Sequence, residues 1–585
     1  MTANLPRKIS ALGLFILLNS IVYKPLKAEV PARPPIIPQV IPRDIQPPSS
    51  APLPTPQPQQ SPLPQQILPP SNLSPNLEEQ FPDTTKETFT VKRFEVLGGT
   101  VFSQQELDKV LKEFINRPIT LDDLYQARQK ITDLYIDKDY ISCGAYIPPQ
   151  KIWSGIVKIQ IVETKLRDIE IEGTRRLNKS YIRSRIAAGN NGPLNQKRLL
   201  KSLQLLKFNP LIQNLSANLQ PGNIPGQIKL VVEVVEARTF NAQMILDNTR
   251  SPSIGSFQRR IQVNEANLLG LGDNLSLGYS NTDASNFFYG SYTLPLNSKN
   301  GTLSFNYGTG NSSVIEHPFD TLNIKSASRY YELTFRQPMF QSPTEELTLG
   351  LTASRRESEA NYAPLGEQIP FPQLGSNDQG KTRVSALRFF QEWITRGSTQ
   401  VFAVRSQFNL GLDVFNATVN QDAPDSRFFS WQGQAQWLRL LAPDTLLLFG
   451  FNTQLATRSL LPLEQFSLGG IESVRGYRQD LLLADNGIFA SAEVQVPILR
   501  ISKINGILQL IPFTDFGIVW NNSGSTIANT NSPNILASIG LGLRWSQNAN
   551  FSARLDYGIP VVSVDQPNQT WQENGLYFYL QYNNF

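Results

Sequence analysis

Two short runs carry residue types that could act together. Val474-Arg475-Gly476-Tyr477 lies in a long segment, 465–486, between two strand-like stretches. Phe513-Thr514-Asp515-Phe516-Gly517 lies in a strand shortly after it. Alternation puts Phe516, Ile518 and Trp520 on one face of that strand and Phe513, Asp515 and Gly517 on the other. A carboxylate on an inner wall requires a cation, and the planar guanidinium of Arg475 matches Asp515 in bidentate fashion. Gly476 lets the backbone bend sharply or approach a wall closely. An ordinary surface loop with Arg475 in water would use the same residues, and the two runs by themselves leave both readings open.

Other chemistry is thinly supplied. There is no G-x-S-x-G elbow, no G-x-x-x-x-G-K phosphate loop and no H-E-x-x-H pair. The single histidine, His317, argues against His-based metal or triad sites, and the single cysteine, Cys143, excludes an intrachain disulfide. Cys143 reads as a small buried residue, and Glu345-Glu346 as solvated charges beside a strand. No catalytic residue, cofactor or metal is expected. A net charge of +5 over 585 residues reads as scattered Lys and Arg, with no dense basic helix for nucleic acid.

The elements that position these runs follow from composition and periodicity. Charged residues make up only 17% of the chain and aromatics 10%, and beyond the N-terminus no uncharged apolar run has membrane-helix length. Arg7 and Lys8 precede an apolar stretch over 9–23, then Lys27-Ala28-Glu29, which has the form of a secretory signal over 1–28. An uncleaved anchor is the other reading. Pro, Gln and Ser dominate 31–82; proline lacks the amide donor, so 29–86 reads as an extended linker.

Two similar modules follow, over 87–164 and 165–237. In the first, a strand through Phe94 and Val96 runs into Gly98-Gly99-Thr100. Ser103-Gln104-Gln105-Glu106 is a capping box opening a helix with Leu107, Val110, Leu111 and Phe114 on one face. A second helix from Thr120 carries Leu124, Ala127, Ile131, Leu134 and Tyr135, and strands are expected over 140–147 and 156–162. The second module repeats this β-α-α-β-β order: a strand over 166–171, helices over 179–188 and through Leu199, Leu203 and Leu206, then strands over 214–219 and 227–235.

From 238 to 585 the helical period vanishes and strict alternation replaces it. Phe402, Val404, Phe408 and Leu410 oppose Arg405, Gln407 and Asn409; Leu541, Leu543 and Trp545 oppose Gly540, Gly542 and Arg544. Phe551, Ala553, Leu555 and Tyr557 oppose Ser552, Arg554, Asp556 and Gly558. A soluble sandwich also alternates. Long segments, aromatics near strand ends and polar faces rich in Gly, Ser, Asn and Gln favour a membrane barrel with a wet lumen. At roughly 21 residues per strand and connection, the segment holds about 16 antiparallel strands.

Two β-α-α-β-β modules ahead of a barrel resemble the POTRA modules of the outer-membrane assembly and secretion superfamily. The Val-Arg-Gly-Tyr loop and the Phe-x-Asp-x-Gly strand resemble its paired signatures. Two modules point to the two-partner secretion branch, the haemolysin and filamentous-haemagglutinin transporters (TpsB type). The resemblance spans Phe89 to Phe585 and implies that Arg475 sits at the tip of an extracellular loop folded into the lumen and pairs with Asp515. It implies an outer-membrane protein whose periplasmic modules receive a large unfolded partner protein for export. Its other contacts would be outer-membrane lipid and, for its own insertion, the barrel assembly machinery. An insertase for other barrels is the first alternative and a passive porin-like channel the second.

Two features depart from the family pattern. Some relatives carry an N-terminal plug helix, which the Pro-rich stretch does not suit. A terminal aromatic usually continues the last strand as an insertion signal. Here Phe585 is present, but Leu576, Phe578, Leu580 and Tyr582 set the opposite parity, so either Asn583-Asn584 marks a bulge or a frayed end, or Tyr577 and Tyr579 belong to the signal face.

Overall fold

A computed structural model describes residues 67–68 and 88–584, except 153, 223, 225, 364–365, 372, 523–533, 549 and 565–568. The expected signal over 1–28, nearly all of the linker and Phe585 lie outside the described residues. Ile67 and Leu68 are buried within the core of the second module.

In the first module, strand Arg93–Leu97 pairs in parallel with Ile156–Val162, which pairs on its other side with Gly144–Tyr146. Helices Gln104–Leu111 and Leu121–Ile136 pack on this sheet through Leu107, Leu111, Leu124, Ala127, Ile131 and Tyr135. Both begin with a capping box, Ser103 with Glu106 and Thr120 with Asp123. Each box satisfies amide donors that the first helical turn leaves without partners. The strand expected over 140–147 is shorter than its pattern. Asp139 takes φ +67° and turns hold the chain until Gly144, which leaves Cys143 buried at a strand entrance.

The second module repeats the design. Lys165–Glu172 pairs in parallel with Gln227–Glu236, and Ile212–Pro221 pairs antiparallel on the other side. Helices Lys179–Gly189 and Gln196–Lys207 bury Ile182, Ile186, Leu199, Leu203 and Leu206.

The two modules share a device that periodicity does not reveal. Gly98 and Gly173 both sit at φ +81° at the end of the first strand. A Cβ there would lie 2.7 Å from the Ile161 carbonyl oxygen in one module and 2.3 Å from that of Val234 in the other. Two residues beyond each of those carbonyls stands a glutamate. Glu163 accepts from the amides of Thr100 and Val101 at 2.6 and 2.9 Å, and Glu236 from those of Arg175 and Leu177 at 2.6 and 2.9 Å. Burial raises both carboxyl pKa values, but these hydrogen bonds outweigh it and hold both below the usual glutamate value. A lowered carboxylate pKa contributes stability above the unfolded-state value, and that stability is lost as pH falls through the folded value. Both carboxylates are partly solvated, and screening holds the contribution of each to about 1 kcal/mol. Amide exchange at 100–101 and 175–177, corrected for its intrinsic rate, should therefore stay slow down to the ordinary glutamate range and quicken below it. Glu163→Gln and Glu236→Gln should exchange faster at neutral pH and lose that acid step; unchanged protection in both would refute the assignment.

Beyond the modules, sixteen long antiparallel strands form a closed barrel from Phe240–Asp247 to Leu576–Asn584. The last strand pairs with the first from Tyr579↔Asp247 to Asn584↔Ala242. Lipid-side and lumen-side residues alternate: Phe408 and Leu410 are exposed outward, while Gln407 and Asn409 are buried inside. Among the described residues no helix is long and apolar enough to cross a membrane. Glu346, expected as a solvated charge, instead faces the lumen near Arg336 and Arg396, at 3.5 and 3.9 Å.

The second module docks on the short turns at one end of the barrel. Arg176 reaches Glu265 at 2.8 Å, and Arg185 donates to Asn300 at 2.8 Å. The long connections, 457–485 among them, therefore emerge at the opposite end.

Candidate functional site: a loop folded into the barrel

The segment between the eleventh strand, Thr445–Ala456, and the twelfth, Asn486–Ile501, returns into the lumen. It makes a 3-10 turn at Pro462–Glu464, then a short hairpin of Phe466–Leu468 with Leu482–Ala484. Leu468, Val474, Tyr477 and Ala484 of this loop bury themselves with Phe489, Val519 and Leu536 of the wall. Gly517 makes that seat possible: a Cβ there would come within 2.7 Å of the Leu468 methyl carbons and 3.2 Å of Val474.

At the tip, Arg475 lies against the thirteenth strand, Gly506–Trp520. Its Nε donates to Asp515 Oδ2 at 2.7 Å, its Nη2 to Oδ1 at 2.8 Å and its backbone amide to Oδ2 at 3.1 Å. Its guanidinium carbon lies 3.5 Å from the Phe513 ring centroid, a cation–π contact. Nη1 reaches Glu493 of the twelfth strand at 3.1 Å and lies 3.6 Å from Asp556 of the fifteenth, Phe551–Pro560. Arg554 bridges the same two acids, at 2.9 Å each. Two arginines thus share three carboxylates, with Arg475 5% and Asp515 1% exposed. Charges taken so far out of water are costly unless fully paired, so each member depends on the others.

The backbone of the tip is held as closely as its charge. Gly476 takes φ +97°, and its amide donates to the Tyr577 hydroxyl at 3.0 Å. Tyr577 in turn donates to the Tyr477 carbonyl at 2.5 Å. Gly476 faces Gly558, where a Cβ would lie 2.6 Å from the Gly476 nitrogen and 2.8 Å from the Arg475 carbonyl carbon. The Tyr477 hydroxyl lies 2.8 Å from the Ala537 carbonyl oxygen and 2.9 Å from that of Val562. Arg478 makes a fork to Glu316, at 2.8 Å for both bonds, and reaches Glu573 at 3.2 Å.

The structure therefore gathers Val474, Arg475, Gly476, Tyr477, Phe513, Asp515 and Gly517 into one site. Tyr577 turns inward to hold the tip, and Tyr579, on the same inward parity, bonds to Gln581 at 2.9 Å. Sequence reasoning passed over Glu493, Arg554, Asp556 and Gly558 as functional residues. Arg554, Asp556 and Gly558 already stand on the polar face of an alternating strand; Glu493 is a lone carboxylate in a run of small and apolar residues. Among the described residues no cluster of His, Cys, Asp or Glu is placed to hold a metal ion. Beside the loop remains a cavity of about 440 Å³, walled by polar groups including Gln262, Gln432, Asn452, Gln454 and Gln479.

Comparison with known proteins agrees with this architecture. Residues 226–545 match the family of haemolysin secretion/activation proteins ShlB/FhaC/HecB, and residues 89–164 match the ShlB-type POTRA domain. The heme/hemopexin transporter protein HuxB of Haemophilus influenzae is 22% identical over 492 residues, covering 80% of this chain and 83% of its own. The outer membrane transporter CdiB of Escherichia coli is 22% identical over 507 residues, covering 83% and 82%. The solved structure of CdiB from Escherichia coli superposes with a TM-score of 0.66 at 19% identity, covering 88% of this chain and 94% of that one. The family match takes in more than half of the chain, including the inward loop and its Asp515 wall. The protein belongs to the haemolysin secretion/activation family, as a two-partner secretion transporter of the outer membrane with its POTRA modules in the periplasm.

Proposed function

We propose that the modules capture one large partner protein while it is unfolded, and that Arg475 latches the inward loop where it guides the chain through the lumen. Strand addition supplies the capture. Among the described residues, Ile212–Pro221 pairs with Gln227–Glu236 on one side only and offers ten residues of sheet edge on the other. Backbone hydrogen bonds on such an edge give affinity with little regard to sequence, and side-chain pockets add selectivity. The polar lumen then solvates an extended chain much as water does, and folding of the partner outside draws it forward. The observation that carries this reading is a buried, bidentate arginine on a loop tip, held by a wall carboxylate 40 positions away. A passive pore needs no such latch. For its own insertion, Tyr577, Tyr579 and Phe585 form a terminal signal read by the barrel assembly machinery before the barrel closes.

Comparing outer-membrane and secreted proteomes with and without this protein tests the reading. Loss of one large secreted protein, with the outer-membrane profile unchanged, is the expected result and identifies the partner. A concerted fall of many barrels would make the protein an assembly machine instead.

A further inference from the structure

The loop is fastened at a second place, on a different part of the wall. Glu464, in the turn at the loop's stem, is 6% exposed and accepts a fork from Arg388 of the eighth strand, Lys381–Arg396, at 2.9 and 2.7 Å. Arg356 of the seventh strand, Glu345–Tyr362, lies 3.5 Å from the same carboxylate and 3.0 Å from Glu332 of the sixth, Lys325–Gln341. Two guanidiniums therefore face two carboxylates, one of which is brought by the loop. The stem is braced beside this pair as well. The Gln454 amide donates to the carbonyls of Glu464 and Asp485, at 2.9 and 3.0 Å, and so ties the descending and returning arms together. Gln432 donates to Gln454 at 2.7 Å, Gln407 to Gln432 at 3.1 Å and to Asn409 at 2.7 Å, and Arg388 to Asn409 at 3.1 Å. This amide chain runs along the wall from the stem back to Arg388.

We infer that Glu464 is a second latch, pinning the stem of the loop to Arg388 and Arg356 while Arg475 pins the tip to Asp515. The inference rests on the guiding role proposed above for the loop. With one latch the loop could pivot about its fixed end; with two it is a strut across the lumen, and its position follows from both ion clusters. Glu464 is a positioning residue in this scheme. Its loss leaves Arg356 with Glu332 and takes from Arg388 the carboxylate it forks, so the wall loses a counter-charge and the loop loses its stem contact together.

Single-channel recordings of the full-length protein in planar bilayers, with KCl as the only probe, read loop position directly. Glu464→Gln should raise the frequency of large-conductance excursions at least about a hundredfold, the lower end of what breaking a buried pair does to a two-state population. Glu392→Gln is the matched control: Glu392 is as buried and binds Arg336 at 2.7 Å and Arg405 at 3.4 Å, without touching the loop. It should leave the excursions unchanged. The double variant Glu464→Gln/Arg388→Gln should fluctuate no more than Glu464→Gln alone, because the two residues act as one pair. Should Glu464→Gln fail to insert, Arg388→Lys, which keeps the charge but not the fork, is read against the same control. Excursions unchanged by loss of the Glu464–Arg388 pair, or raised equally by Glu392→Gln, overturn the second latch. Arg475→Ala, run in parallel with export as its readout, separates the two ideas. Lost export there with a silent Glu464→Gln sinks only the second latch. Normal export with a fluctuating Glu464→Gln sinks the guiding role and leaves the stem contact standing.

Discussion

Barrels carrying Arg475→Ala should insert at normal levels and export almost nothing. The lipid-facing surface is untouched by this change, so insertion has no reason to fail. Inside, Asp515 would lose its fork, while Glu493 and Asp556 would keep only Arg554 beside them. Removing one partner of a buried pair costs roughly 3–5 kcal/mol. That shifts the population of the docked tip by on the order of 10²- to 10³-fold. Arg475→Lys should fall between, since an ammonium keeps the charge but cannot match both carboxylate oxygens. Quantifying the secreted partner against heat-modifiable barrel in the membrane reads both terms. Export at the unmodified level in Arg475→Ala would end the latch hypothesis.

Gly558→Ala should approach the same loss without removing any charge. The added methyl would stand 2.6 Å from the Gly476 nitrogen and 2.8 Å from the Arg475 carbonyl carbon, both backbone atoms that cannot swing away. Overpacking of this kind costs about 1–3 kcal/mol, or roughly 5- to 150-fold in tip occupancy. Gly397→Ala is the comparison, since its Cβ would meet nothing closer than the Gln400 carbonyl oxygen at 3.4 Å. Equal export by the two variants would show that close seating of the tip is unimportant.

These two variants also mark what the sequence reveals and what it hides. The alternation of Phe408 and Leu410 against Gln407 and Asn409 is a local signal, because a strand's neighbours in sequence already define its two faces. The modules were legible for the same reason: capping residues and apolar stripes lie within a few positions of one another. The strand expected over 140–147 ran too long because alternation does not register a turn set by Asp139 at φ +67°. The partners of Arg475 are another matter. Glu493, Arg554 and Asp556 sit on lumen faces that already hold many polar residues, and nothing in their own neighbourhoods distinguishes a latch from a wet wall. Asp515 stood out only through strand parity and a resemblance between motifs. Gly558 showed its polar face but not its role, since its value lies in contact with a backbone more than 80 positions earlier.

The seat of the tip draws on late parts of the chain: Asp556 and Gly558 on the fifteenth strand, Tyr577 on the sixteenth. Two of the carbonyl groups around the Tyr477 hydroxyl, those of Ala537 and Val562, also follow the loop in sequence. The socket does not exist until those strands are paired, although the loop that fills it has long since been synthesised. A barrel halted before its final hairpin thus has an inward loop with nowhere to seat. Seating of the tip reports that closure is complete, so the order of events in assembly is written into which strands supply the socket.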